Sequence, residues 1–251
     1  MTYGIGTAPP AIVALGYKRK HMAVKKTIAI IGASGDMGSA FAKALANSNY
    51  RLLLMSRDMN KVGKLSNYIR AKNPLADVEV SECAKEACWE ADIVLLTVPY
   101  TIEMEVADKI REVSTQKIVI DVSNPINETY DQLITAPGTS AAEELQRVLP
   151  NSKVVKAFNT NFSTDFTSAN KDGKKIKTFI AGNDQEAVQT VSEMAMAIGL
   201  TPVICGSLSA SRNLEQMMLQ LIELKTEENY NNILGWRMHV HTPLTFKSIV
   251  R

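Results

Sequence analysis

Residues 28–38 read Ile-Ala-Ile-Ile-Gly-Ala-Ser-Gly-Asp-Met-Gly. An apolar run breaks into three glycines at a spacing of three, Gly32, Gly35 and Gly38. A segment with helical spacing follows at once (Met37, Ala40, Phe41, Ala44, Leu45). This pattern predicts a first β-strand that turns directly into a helix. Gly32 can make the tight turn, Gly35 leaves room for a phosphate to approach the backbone, and Gly38 lets the helix pack closely on the strand. The amides at the helix N-terminus would then face a pyrophosphate. Gly32, Ala33, Ser34, Gly35, Asp36, Met37 and Gly38 are therefore candidates for a dinucleotide-binding turn. Another α/β domain could share the glycine triplet; the strand before it and the helix after it favour the nucleotide site.

Working outward, the second strand bears on which nucleotide is bound. Tyr50–Met55 reads as that strand and ends in Ser56-Arg57-Asp58. An NAD site places a carboxylate here to accept from the ribose 2′-hydroxyl, whereas a 2′-phosphate is met by Arg and small hydroxyl residues. Ser56 and Arg57 have the second chemistry, Lys61 can add a positive charge one helical turn on, and Ser34 can add a hydroxyl. Asp58 is expected to cap the next helix; pointing inward, it would favour NAD(H). NADP(H) is the favoured cofactor, the plain alternative being that Arg57 and Lys61 are solvated surface charges.

From residue 25 the chain alternates strand and helix signals, which predicts a doubly wound α/β fold of Rossmann type with a mostly parallel sheet and a small C-terminal helical part. The expected strands are Ile28–Gly32, Arg51–Met55, Val78–Ser81, Ile93–Val98, Lys117–Val122, Lys153–Ala157, Lys177–Ala181 and Thr201–Ile204. The expected helices are Met37–Ala46, Asn60–Lys72, Lys85–Glu90, Ile102–Val113, Ala141–Leu149, Gln185–Ile198 and Leu208–Leu224. The last carries an apolar stripe (Leu214, Met217, Met218, Leu221, Ile222) suited to core packing, a dimer contact or a pocket wall. The division into parts is 1–24 as an extension, tag remnant or misassigned start with no fixed structure, 25–205 as the nucleotide-binding domain, and 206–251 as a helical segment and tail.

Composition bounds the function. A net charge of +2 over 251 residues offers no electrostatic footprint for nucleic acid or an acidic membrane. No apolar stretch approaches the roughly 20 residues that span a bilayer, so a cytoplasmic location is expected. Cys83, Cys88 and Cys205 lack paired spacing and read as free thiols. His239 and His241 have no acidic or thiol ligand near them in sequence, so no metal site is assigned.

In open α/β sheets ligands sit at the carboxyl ends of the strands, beside strand one. Strand four ends there in Thr97-Val98-Pro99-Tyr100, strand five in Ser123-Asn124-Pro125 and strand six in Phe158-Asn159-Thr160. Thr97 joins the cofactor site. Val98, Pro99 and Tyr100 offer an apolar wall and an aromatic face for a nicotinamide, and Asn124, Asn159 and Thr160 offer neutral hydrogen bonds. Pro and Asn also end strands for local reasons alone. Asp121, inside strand five, is the one acid or base expected near these ends. An alcohol dehydrogenase needs a proton acceptor; hydride passed from ring to ring relies on positioning and water exclusion.

Taken together, Gly-Ala-Ser-Gly-Asp-Met-Gly, the Ser-Arg after strand two, Thr-Val-Pro-Tyr, Val-Val-Lys-Ala-Phe-Asn-Thr at 154–160 and Ile-Cys-Gly-Ser-Leu-Ser-Ala-Ser-Arg at 204–212 resemble the NADPH:coenzyme F-420 oxidoreductases. The Lys-Ala-Phe-Asn-Thr type of segment is also similar to the reductase domain of the six-transmembrane ferric reductases. The resemblance runs from about residue 25 to 224. It implies that Ser34, Ser56, Arg57 and Lys61 hold the 2′-phosphate of NADP(H). Pro99 and Tyr100 would lie by the nicotinamide, with a deazaflavin or flavin stacked near Asn159 and the 206–212 loop. It also implies a homodimer. The sequence departs from the pattern at Ala33, where a second glycine is usual, at Asp58, where a base is frequent, and in the tail after Leu224.

Three functions follow as alternatives. The first is an NADP(H)-dependent oxidoreductase passing hydride to or from a flavin-like ring, with a small-molecule redox acceptor as its partner. The second is a dehydrogenase of a small metabolite, and the third is an NADP(H)-binding sensor without catalysis.

Overall fold

A computed structural model describes residues 25–168 and 176–226. The extension 1–24, all three histidines (His21, His239, His241) and the tail beyond residue 226 lie outside the described residues.

The first half of the chain alternates without interruption: β1 (Lys26–Ile31), α1 (Asp36–Leu45), β2 (Tyr50–Met55), α2 (Met59–Lys72), β3 (Asp77–Ser81), α3 (Ala84–Glu90), β4 (Ile93–Leu96) and α4 (Tyr100–Ile110). The second half adds β5 (Ile118–Asp121), α5 (Ala141–Val148), β6 (Lys153–Ala157), α6 (Asp165–Ser168), β7 (Lys177–Gly182), α7 (Gln185–Ala197), β8 (Thr201–Gly206) and α8 (Ser211–Thr226). One sheet of order β3-β2-β1-β4-β5-β6-β7-β8 results. The order reverses beside β1, at the β1/β4 junction, and opens a crevice at the strand ends.

Strict alternation along the strands feeds two cores. In β1, Ile28 and Ile30 join Phe41 and Leu45 of α1 on one face. Ala29 and Ile31 join Val94, Ala107 and Leu145 on the other. Burial on both faces is why β1 and β4 read as continuous apolar runs.

Most predicted bounds move by one or two residues. Strand four ends at Leu96 rather than Val98 because its partner β1 turns away at Gly32; Thr97 still donates from its amide to the Ile31 carbonyl at 2.8 Å. Helix α4 starts at Tyr100 rather than Ile102, with Pro99 as its N-cap residue. The predicted 208–224 helix opens instead with a 3-10 turn, Leu208–Ala210, before α8. Along α8, Leu214, Met218 and Leu221 are buried, so this part of the stripe serves core packing.

The sequence does not foresee the direction of β7. It runs antiparallel to β6, and β8 then runs parallel to β7. A parallel return needs a crossover, usually a full helix; between β6 and β7 the described residues hold only the four-residue α6.

Candidate functional site

The glycine turn is built by steric exclusion. Gly32 has φ +93°, and a Cβ there would come within 2.7 Å of the Thr97 carbonyl oxygen. At Gly38 a Cβ would collide with the Gly32 carbonyl oxygen and stand 2.7 Å from Thr97 Oγ1. These positions need glycine for the protein's own packing. Gly35 differs: a Cβ there would meet only Gly32 O, at 3.4 Å. Gly35 is also the N-cap residue of α1, and no side chain caps that helix. Ala33, the departure from the family pattern, is fully buried and lies outside the left-handed region, so its methyl is tolerated. Asp36 is exposed in the first turn of α1, and Met37 packs partly into the core.

At the end of β2, Ser34 Oγ and Ser56 Oγ are 2.5 Å apart, and the Asp58 amide donates to Ser56 Oγ at 3.3 Å. Asp58 caps α2 by accepting from the Lys61 amide at 3.0 Å, so its carboxylate is occupied locally. That bond first, and the Lys61 charge second, hold the Asp58 carboxyl below its ordinary value. Arg57 is exposed and takes no hydrogen-bond partner among the described residues.

A cleft of about 280 Å³ opens over this turn, near the lower bound for small-molecule sites. Gly32, Ser34, Gly35, Ser56, Arg57, Thr97, Val98 and Pro99 all line it, so most of the predicted cofactor-binding residues meet in one place. Lys61 does not line it. The far wall is one face of α4, made by Ile102, Glu105, Val106 and Lys109. Lys109 Nζ donates to Glu105 Oε1 at 2.6 Å. This wall is absent from the sequence reading; its signal was the i, i+3, i+4, i+7 spacing of those four residues along α4.

Tyr100, Asn124, Asn159 and Thr160 do not line that cleft. The Tyr100 hydroxyl donates to Glu144 Oε2 at 2.6 Å, and burial together with that carboxylate pushes it above its ordinary value. Asn124 donates to the Asn159 backbone carbonyl, and Asn159 Nδ2 donates to Asn124 Oδ1, each at 2.9 Å. Asn159 also donates to the Leu214 carbonyl at 3.0 Å, tying the loop after β6 to α8. Thr160 is buried, and its Oγ1 has no hydrogen-bond partner among the described residues. Phe158, at φ +63°, is a non-glycine residue held in the left-handed region. Its ring packs edge-on against Phe41 of α1, with centroids 5.0 Å apart.

The expectation that Asp121 is the one charged residue near these strand ends needs correction. Lys156 sits one residue from the end of β6, fully buried. Its Nζ donates to Asp121 Oδ2 at 2.8 Å and to the Ser123 carbonyl at 2.7 Å, and pairs with Glu215 Oε1 of α8 at 2.8 Å. Glu103 of α4, also fully buried, accepts from Ser123 Oγ at 2.8 Å. Burial first, then Asp121, raises the Glu103 carboxyl well above its ordinary value. Burial alone would lower Lys156, but Asp121, Glu215 and Glu103 outweigh it and hold the ammonium above its usual value. A lysine flanked by Val155 and Ala157 in an apolar strand was the available signal, because a buried charge needs partners.

Among the described residues, no helix is long and apolar enough to cross a membrane, and no group of His, Cys, Asp and Glu could hold a metal ion. Cys83, Cys88 and Cys205 are free thiols.

Residues 27–125 match the family described as NADP oxidoreductase, coenzyme F420-dependent. The chain is 32% identical over 206 residues to an F420-dependent NADP reductase of Methanocaldococcus jannaschii, covering 78% of this chain and 91% of that one. It is also 32% identical over 198 residues to metalloreductase STEAP3 of Rattus norvegicus, but that match covers only 37% of the rat protein against 78% of this chain. A crystal structure of a putative F420-dependent NADP reductase from Arthrobacter sp. FB24 superposes with a TM-score of 0.68 at 22% identity, covering 79% and 92% of the two chains, and shares the fold.

Proposed function

The chain belongs to the family of coenzyme F420-dependent NADP oxidoreductases, and on that footing we propose that it passes a hydride between the nicotinamide of NADP(H) and a deazaflavin or flavin-like ring. It is an NADP-dependent oxidoreductase; the ring acceptor is the step beyond that.

The residues present fit the nucleotide. The open backbone at Gly35 and the uncapped start of α1 suit a pyrophosphate. Ser34, Ser56 and the unpaired Arg57 suit a 2′-phosphate, and the engaged Asp58 leaves the ribose without a competing carboxylate. Ile102 and Val106 offer the adenine an apolar wall.

The bound nicotinamide supplies or accepts the hydride. The chain's own part is to hold that ring against Val98 and Pro99, to shut out water, and to leave the second ring room to stack. The observation that carries the reading is where the titratable groups stand. Those lining the cleft are Arg57, Glu105 and Lys109, all at the β2 and α4 side. Toward β5 and β6, Lys156, Asp121, Glu103 and Glu215 are sealed from solvent, and Tyr100 is committed to Glu144. Ring-to-ring transfer needs no free protein acid or base, whereas oxidation of an alcohol does.

Turnover of NADPH against coenzyme F420, FMN, FAD and a ferric chelate tests the proposal. Reduction of at least one ring acceptor is expected; NADPH binding with no acceptor reduced would move the protein to a sensing role.

A further inference from the structure

Val98 and Pro99, the wall offered to the nicotinamide, stand directly before α4, and among the described residues no side chain caps that helix. Its first turn is tied down from beneath instead. Ile102 lines the cleft, whereas Glu103, the next residue, is fully buried and accepts from the Ser123 hydroxyl on Oε2 at 2.8 Å. Ser123 is itself held at its other polar groups. Its amide donates to Asp121 Oδ1 at 2.7 Å, and its carbonyl accepts from Lys156 Nζ at 2.7 Å. We propose that Glu103, as a neutral carboxylic acid, is a positioning residue: bonded to Ser123, it fixes the first turn of α4, and with it the Val98 and Pro99 wall, against the end of β5.

Charge balance and an orphan oxygen carry this inference, which rests on the NADP(H) reading above. The titratable groups clustered with Glu103 are Asp121 of β5, Lys156 of β6, Glu215 of α8 and Tyr100 of its own turn. Among the described residues Lys156 is the one cation of this cluster, and it already pairs with Asp121 and Glu215, each at 2.8 Å. An ionised Glu103 would set a third carboxylate against one ammonium, where water cannot screen it. Glu103 Oε1 has no hydrogen-bond partner among the described residues, so ionisation would also leave a buried anionic oxygen bare. A proton on Oε1 removes both costs. The charge is gone, and the acid hydroxyl can donate to Asp121, which stands beside it. Oε2 stays free to accept from Ser123. Glu103 does not line the cleft, so its effect on a bound nucleotide passes through Val98, Pro99 and Ile102.

The test compares calorimetric binding of NADPH with that of adenosine 2′,5′-bisphosphate, which lacks the nicotinamide, and reads the fluorescence of the bound nicotinamide, with no acceptor present. Glu103→Gln keeps an uncharged donor and an acceptor in place and should match the native protein for both ligands. Ser123→Ala and Glu103→Leu break the tie from either end. Each should weaken NADPH roughly three- to tenfold, the range for one hydrogen bond, shift the nicotinamide emission, and leave the bisphosphate unchanged. Unaltered NADPH binding and emission in Ser123→Ala would overturn the inference while leaving the NADP(H) reading intact, whether or not Glu103→Leu folds. Equal losses for both ligands would do the same, since a merely structural bond loosens the whole cleft. A Glu103→Gln protein as weak as Ser123→Ala would show that the carboxylate and not the acid is needed, and would overturn it too. A native protein that binds neither ligand would overturn the inference and the NADP(H) reading together.

Discussion

Lys156 Nζ and Glu215 Oε1 stand 2.8 Å apart with neither side chain reaching solvent. The pair joins β6 to α8, and Glu215 also accepts from the Ala141 amide at 3.1 Å, at the start of α5. Three elements thus meet on one carboxylate. Removing one partner of a buried pair leaves an uncompensated charge, which costs about 3–5 kcal/mol. Lys156→Ala, which strips the buried Asp121 and Glu215 of their shared cation, is therefore expected to lower the unfolding free energy by about that amount in a denaturant titration. A change below about 1 kcal/mol would mean that the cluster contributes little to holding α8 in place.

The same cluster sets a pH dependence. The folded state raises the Glu103 carboxyl above its unfolded value near 4.5, so folding favours the protonated form. That contribution is fully present below the unfolded pKa and is lost as pH rises through the folded one. Glu103→Gln, which mimics the protonated group, should flatten the fall in stability with pH above about 4.5 relative to the native chain. Half-buried carboxylates with lowered values, such as Asp58 and Asp184, act in the opposite direction and are common to both proteins. Parallel stability profiles for the two proteins would show that folding does not raise the Glu103 carboxyl.

The glycines of the turn separate packing from binding. Gly38→Ala places a methyl on backbone atoms that cannot swing away, and a loss of about 1–3 kcal/mol or more is expected from overpacking. Gly35→Ala has room and should melt close to the native protein, yet weaken NADPH where the pyrophosphate approaches the backbone. Thermal melts and nucleotide titrations on both variants check this; unaltered NADPH binding in Gly35→Ala would place the pyrophosphate elsewhere.

Tyr100 discriminates between the two enzymatic readings. Its hydroxyl is already committed to Glu144. Tyr100→Phe should therefore change the hydride-transfer rate by no more than a few-fold, while costing about 1.5–3 kcal/mol of stability for the lost hydrogen bond to a carboxylate. Collapse of the rate, together with loss of one limb of the pH profile, would identify Tyr100 as a proton donor and favour a metabolite dehydrogenase.

Much of this architecture was legible because burial on both faces leaves a plain trace. Ile93–Leu96 reads as a central strand since neither face can hold a polar residue. Gly32 and Gly38 are legible because no other residue fits their contacts. The reversal at β7 was hidden, since the apolar run of an antiparallel strand looks like that of a parallel one. Lys156 was hidden for a different reason: its partners Glu103 and Glu215 come from helices distant in sequence, and only the folded chain assembles them. The α4 wall of the cleft was missed because Glu105 and Lys109 look like an ordinary solvated helix pair until the fold brings them to the same cleft as Arg57.

The central claim is direct hydride transfer between two rings. NADPH carrying deuterium at the transferring carbon, reacted with a deazaflavin in a single turnover, tests it most directly. Direct transfer predicts slower reduction than with unlabelled NADPH and recovery of the deuterium on the acceptor ring carbon. Label released to water, or no transfer to the ring while NADPH stays bound, would contradict it.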